Sequence, residues 1–165
     1  MYNQTATGLG PEYVLFRDSS NKGLLPTNHK DDFDVQDLPK ADSSEMSNGY
    51  YLGYDRSYLL RPETAESIMI LYRITGDAMY KDWGWQIFRA ISEWTKTPAG
   101  FSSYQDVMST KRQQQLTDSM ESFFLAETLK YLYLLFSPAD YYSLDDYVFN
   151  TEAHPFKIQH GHDRS

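Results

Sequence analysis

The 165-residue chain contains no cysteine. Disulfides, thiolate zinc sites and cysteine nucleophiles are therefore excluded, and nothing can be read of its redox compartment. No apolar run approaches the roughly 18 residues that a membrane-spanning helix requires. The opening residues Met1 to Gly10 are small and polar, without the apolar stretch of a signal peptide. Basic residues are the minority, 15 against 23 acidic, for a net charge of −8. There is no basic stripe for a nucleic-acid backbone and no basic amphipathic segment for a membrane surface. Glycine-rich phosphate loops, His-x-x-x-His helices and nucleophile-elbow spacings are absent as well.

What is present is hydrophobic and unusually aromatic. Hydrophobic residues make up 41% and aromatics 16%, including fourteen tyrosines and three tryptophans. That content is enough for one domain with a core. Aromatic rings bury large areas and also stack on sugars, so both a core and a carbohydrate site fit. One glycosylation sequon, Asn3-Gln4-Thr5, is a pattern that chance produces often.

Along the chain, Thr7 to Glu12 carries a turn signal, and Tyr13-Val14-Leu15-Phe16 reads as a short strand. Residues 17–49 are polar, with Pro26, Pro39 and paired acids, and read as a loop or insertion. A first helix is predicted from Pro62 to about Thr75. Pro62 suits its first position, and Glu63 and Glu66 suit a first turn, where the dipole favours anions. Its centre, Ile68 to Tyr72, is apolar all round and should be buried. Gly76 stops it, and Asp77 can cap a second helix reaching about Thr97. There Tyr80, Trp83, Ile87, Ile91 and Trp94 recur at steps of three and four, which marks a one-faced outer helix. After Pro98 and Gly100 a polar loop is expected. A third helix is predicted from Asp118, with an Asp118–Glu121 capping box, to about Phe136, again apolar nearly all round. Short extended pieces follow Pro138. Two buried helices with an amphipathic one between them suggest concentric helical layers, too few to close a barrel alone.

Four acids stand in or beside the buried helices: Glu63, Glu66, Glu121 and Glu127. An unpartnered buried carboxylate costs several kcal/mol, of the order of a domain's spare stability. Glu63 and Glu66, three apart, share a helix face, and Phe123 and Glu127, four apart, share another. Arg61 just precedes the first pair and could offset it. Helix-start acids are also ordinary dipole partners, a reading that suits Glu63, Glu66 and above all Glu121. It suits mid-helix Glu127 less. The histidines are poorer candidates: His154 precedes Pro155, and His160 and His162 lie in a polar tail. The residues alone thus lead to an all-helical piece with an acidic, aromatic interior.

The octet Leu60-Arg61-Pro62-Glu63-Thr64-Ala65-Glu66-Ser67 resembles a motif of the class I α-1,2-mannosidases, glycoside hydrolase family 47. Three further blocks agree in order: Thr7-Gly8-Leu9 with Pro11-Glu12, Met120 to Tyr131, and Val148-Phe149-Asn150-Thr151-Glu152-Ala153-His154-Pro155. The resemblance spans about residues 2 to 158. It implies an all-α fold, the last hairpins of a seven-hairpin α/α barrel with short extended loop segments. Residues 1–165 would then be the C-terminal part of a single catalytic domain. It further implies calcium-dependent, inverting removal of terminal mannose from high-mannose N-glycans in the endoplasmic reticulum or Golgi. Glu63 would stand on the base side, and the backbone carbonyl and hydroxyl of Thr151 would hold Ca2+. Arg61, Glu66, Phe123, Glu127, Glu152 and Glu12 would line the substrate side, with Glu63, Glu66, Glu127 and Glu152 around the ion mainly through water. The family's catalytic acid and a further aspartate belong to earlier hairpins without counterpart here, and its disulfide is missing. The chain is therefore expected to be part of a longer domain and inactive alone. The alternative is a non-catalytic glycan-binding quality-control factor, similar to the mannosidase-like proteins that promote degradation of misfolded glycoproteins.

Overall fold

The computed structural model describes residues 2–16, 50–52 and 55–159. The polar segment 17–49, His160 and His162 lie outside the described residues, as does the side chain of the sequon asparagine. The sequon's Thr5 is nearly buried, its hydroxyl donating to the Leu9 carbonyl at 2.8 Å.

The fold is mostly helical. Helix α1 runs Glu63–Thr75 and helix α2 Met79–Trp94. A π-helical turn, Phe124–Thr128, leads directly into α3, Leu129–Phe136. Two small antiparallel ribbons complete it. One pairs β1 (Val14–Phe16) with β2 (Tyr50–Leu52), and the other pairs β3 (Tyr147–Phe149) with β4 (Pro155–Lys157). The predicted strand at Tyr13–Phe16 is thus present, one residue shorter.

Helix α1 stops where expected. Gly76 takes φ 70°, and its N–H returns to the Tyr72 carbonyl at 2.8 Å. Only glycine adopts that left-handed cap without a Cβ penalty. Asp77 opens α2 by accepting the Met79 N–H at 2.9 Å. Pro62, however, precedes the helix rather than filling its first turn, and α2 ends at Trp94, not Thr97. Gly84, Ile87, Ala90 and Ile91 form the buried face of α2, while Trp83 is 42% exposed and stands edge-on to Tyr80.

Three expectations need correction. The Asp118–Glu121 capping box does not form. Asp118 adopts φ 58°, outside helical geometry, and the helix starts at Ser122, with Ser119 Oγ donating to Glu121 instead. The stretch after Gly100 is not simply a polar loop, because Ser102, Ser103, Tyr104 and Val107 are buried. Ser102 tolerates this by accepting the N–H groups of Thr117 and Asp118, and Tyr104 bridges to Tyr58. Finally, neither apolar helix is buried all round. Leu71, Ile74, Leu125, Tyr133 and Phe136 are exposed because no described element covers those faces.

The core lies where α1 packs between α2 and α3, and it includes Leu60, Met69, Ile91, Phe124, Tyr131 and Leu135. Gly84 permits a close approach of α2 to α3, since a Cβ there would run into Leu135 Cδ2. Leu135 is fully buried and has little room to yield. Gly84→Ala should gain about 1 kcal/mol of helix propensity but lose more to overpacking, about 1–3 kcal/mol. Chemical denaturation should therefore show a less stable chain.

Candidate active site

The candidate residues come from four parts of the chain: Glu12 before β1, Arg61 to Glu66 at the start of α1, Phe123 and Glu127 at the π-turn, and Thr151 and Glu152 between β3 and β4. The turn into α1 is set by Leu60, fully buried with φ 65°. A non-glycine residue takes that conformation only where its surroundings hold it. Thr128, in the π-turn, supplies the hold: its hydroxyl donates to the Leu60 carbonyl at 2.6 Å. Arg61, Pro62 and Glu63 are thereby fixed relative to the segment that carries Phe123 and Glu127.

Arg61 forms an ion pair with Glu12, Nε to Oε2 at 2.5 Å. The other Glu12 oxygen accepts the Leu59 N–H at 3.2 Å. This partnership holds the guanidinium pKa above its usual value, with further help from Glu63 and Glu121. Arg61 could offset the Glu63–Glu66 pair, but its principal partner is Glu12, and Glu63 is secondary. The guanidinium also lies 5.8 Å from the centre of the half-buried Phe123 ring, within cation–π range. Glu12, Arg61 and Phe123 thus form one group.

The second group is acidic. Glu127 is 7% exposed. Its carboxyl is pushed above the usual range first by burial, then by the negative charges of Glu152, Glu63 and Glu66, with Lys130 pulling the other way. Glu63 and Glu66 come from the first turn of α1, Glu127 from the π-turn, and Glu152 from the bend between β3 and β4. Glu66 accepts a hydrogen bond from the Tyr131 hydroxyl at 3.1 Å. Burial and that carboxylate raise the phenol pKa, so Tyr131 remains a donor. Glu121 acts on Arg61 and not on Glu127.

Thr151 is exposed in the bend beside Glu152, and neither its hydroxyl nor its carbonyl bonds to another described residue. An all-oxygen set of this kind suits a hard cation. Among the described residues no group of three or more His, Cys, Asp or Glu side chains converges closely enough to chelate a metal directly. The oxygen donors present are of the type calcium takes, with Thr151 as a candidate ligand. A crowd of acids facing one lysine is itself the condition a cation relieves.

Sequence reasoning missed the π-turn, Tyr131 and Lys130. The latter two lie four and three residues beyond Glu127, the spacing that shares a helix face, which was the available signal.

The solved structure of an α-1,2-mannosidase from Trichoderma reesei matches 96% of this chain at 35% identity and a TM-score of 0.76, using 31% of its own length. Fold and acidic site together thus have the character of a helical glycoside hydrolase domain. The sequence profile of glycosyl hydrolase family 47 matches residues 1–158, and the chain belongs to that family. A mannosyl-oligosaccharide 1,2-alpha-mannosidase of Arabidopsis thaliana is 45% identical over 162 residues, 96% of this chain and 24% of the relative. The endoplasmic reticulum mannosyl-oligosaccharide 1,2-alpha-mannosidase of Homo sapiens is 45% identical over 160 residues, 96% of this chain and 20% of the relative. The chain thus spans about a fifth to a quarter of the length of these curated relatives.

Raised carboxyl pKa values have a definite sign in stability. Glu127 holds its proton more tightly folded than unfolded, so its ionisation costs stability as pH rises above the usual carboxylate range. In calcium-free buffer Glu127→Gln should unfold at a higher temperature than the parent at pH 7. The difference should vanish below about pH 4, where the glutamate is protonated in both states. A thermal-melt series across pH checks this.

Proposed function

We propose that this chain carries the base side of the active site of a calcium-dependent α-1,2-mannosidase. Its substrate is terminal mannose on the high-mannose N-glycans of glycoproteins, and the product is released with inversion. The observation that carries the reading is the meeting of Glu63, Glu66, Glu127 and Glu152 around a buried position, beside an arginine and an aromatic ring. The relatives' names supply the substrate class: mannosyl-oligosaccharides with 1,2-alpha linkages.

The chemistry follows from the geometry. Inverting hydrolysis needs one carboxylate to take a proton from water and a carboxylic acid, on the opposite side of the bond, to protonate the leaving oxygen. Glu63 is exposed and its carboxylate makes no hydrogen bond to a described residue, so it is open to a water. It serves as the base. Glu127 is buried and so less open to a water, and it is assigned to the substrate side with Glu66. Phe123 offers an apolar face to a sugar ring. Arg61 is 47% exposed and keeps donors free for sugar hydroxyls while Glu12 fixes its orientation. Thr151 would hold the calcium, which when bound offsets the acids and orients hydroxyls. The leaving-group acid is assigned to another part of the domain, in keeping with a seven-hairpin α/α barrel of which these helices form the last turns. The reaction is assigned to the secretory pathway, endoplasmic reticulum or Golgi; the name of the endoplasmic reticulum relative supports the first of these.

In the complete protein, Glu63→Gln should lower kcat by about 10²–10⁴-fold on a mannose-rich glycan while calcium binding persists. Near-normal turnover would remove Glu63 from the base role. A parent protein that binds the glycan yet releases no mannose would instead support the non-catalytic binding reading. The 165 residues by themselves should release no mannose, which product chromatography would check.

A further inference from the structure

The ribbon β3–β4 that bears Thr151 is a two-stranded piece with exposed apolar side chains, Val148 at 56% and Phe156 at 55%. Such a ribbon has little stability of its own and must borrow its position from elsewhere. Its bend is internally well tied. Asn150 Oδ1 accepts the N–H groups of Glu152 at 3.0 Å and His154 at 2.8 Å. The Asn150 N–H donates to the His154 carbonyl at 3.1 Å, and the Ala153 N–H to the Asn150 carbonyl at 2.9 Å. These bonds fix the shape of the bend. They do not fix its place against the helices.

Tyr142 packs on Tyr147 and Phe149 from the preceding loop, and three contacts tie the ribbon to the helix that carries Glu127. The Phe149 ring meets the Tyr131 ring edge-on at 6.0 Å, at the base of the ribbon. Ala153 is completely buried and takes φ 55°, a conformation that an L-residue adopts only when held. The Lys130 ammonium donates to the Ala153 carbonyl at 3.0 Å, the one hydrogen bond from the helix to the bend among the described residues. Lys130 lies three residues beyond Glu127, on the same side of the helix.

We propose that Lys130 is a positioning residue for the cation site, holding the bend that carries Thr151 and Glu152 in place over Glu127. The inference rests on the calcium reading above and adds to it. Lys130 also supplies a positive charge to the same acids, and the two roles predict opposite signs. A mere competing charge, once removed, would let a cation bind more tightly. Loss of the tether lets the direct ligand drift, and binding weakens. Because Thr151 is the one side chain assigned to touch the ion, the tether prevails.

The test measures calcium affinity by titration calorimetry on the full chain. Lys130→Met should weaken binding about 10–100-fold, the usual loss when a partner behind a metal ligand is removed. Lys130→Arg, which keeps charge and donors, should recover most of the affinity. Lys111→Met, the same charge change on an exposed loop lysine, should leave it unaltered. Should Lys130→Met fail to fold by circular dichroism, Lys130→Gln carries the test with the same expected loss. Unchanged or tighter binding in the Lys130 variant overturns the proposal. Hydrogen exchange without calcium gives an independent readout: residues 149–155 should exchange faster in Lys130→Met, and unchanged exchange overturns the tether. A parent chain that takes up no calcium would sink the calcium reading, while the exchange result would still decide the tether.

Discussion

Three negative charges brought within reach of the buried Glu127 carboxyl, with a single lysine against the four acids, is the constraint on which the rest of this structure turns. An arrangement of that kind is unfavourable by itself, since burial and like charge both penalise ionisation. Folding offers no reason to assemble it. The proposed cation with its waters would supply one, because its charge would then be the largest nearby.

The architecture around the acids serves to hold them together against repulsion. Helix α1 brings two of them in one turn, and its approach is locked by the left-handed Leu60 and the Thr128 hydroxyl. The third comes from a π-turn, whose wider winding is closed by the Leu129 N–H reaching back to the Phe124 carbonyl. Such turns recur inside helices at functional sites. The fourth arrives on a ribbon too small to stand alone, carried in by Ala153, Tyr131 and Lys130. On the flank, Glu12 neutralises Arg61, leaving that guanidinium oriented over Phe123 and not drawn into the acidic nest.

Part of this could be read from the residues. The Glu63–Glu66 spacing declares a shared face, Gly76 and Asp77 mark the break between two helices, and Glu127 is conspicuous in an apolar run. Motif resemblance supplied the family, which the profile match and the relatives bear out. What stayed hidden involves distance along the chain. Glu12 with Arg61 spans 49 residues, Glu66 with Tyr131 spans 65 and Leu60 with Thr128 spans 68, and no local pattern encodes such pairings. The π-turn was invisible for another reason: in a segment apolar nearly all round, periodicities of 3.6 and 4.4 residues leave the same trace. Ser102 and Ser103 misled because polarity suggests solvent, whereas backbone amides from Thr117 and Asp118 satisfy Ser102 in the interior. The exposed faces of α1 and α3 depart from the expected burial because that burial depends on packing partners, which helix periodicity does not specify.

The most direct test is the titration of Glu127 itself, followed by carbon-13 NMR of its carboxyl with and without calcium. Without calcium its midpoint should lie above the usual carboxylate range; with saturating calcium it should fall back to or below that range. A midpoint at the ordinary value, indifferent to calcium, would contradict the account.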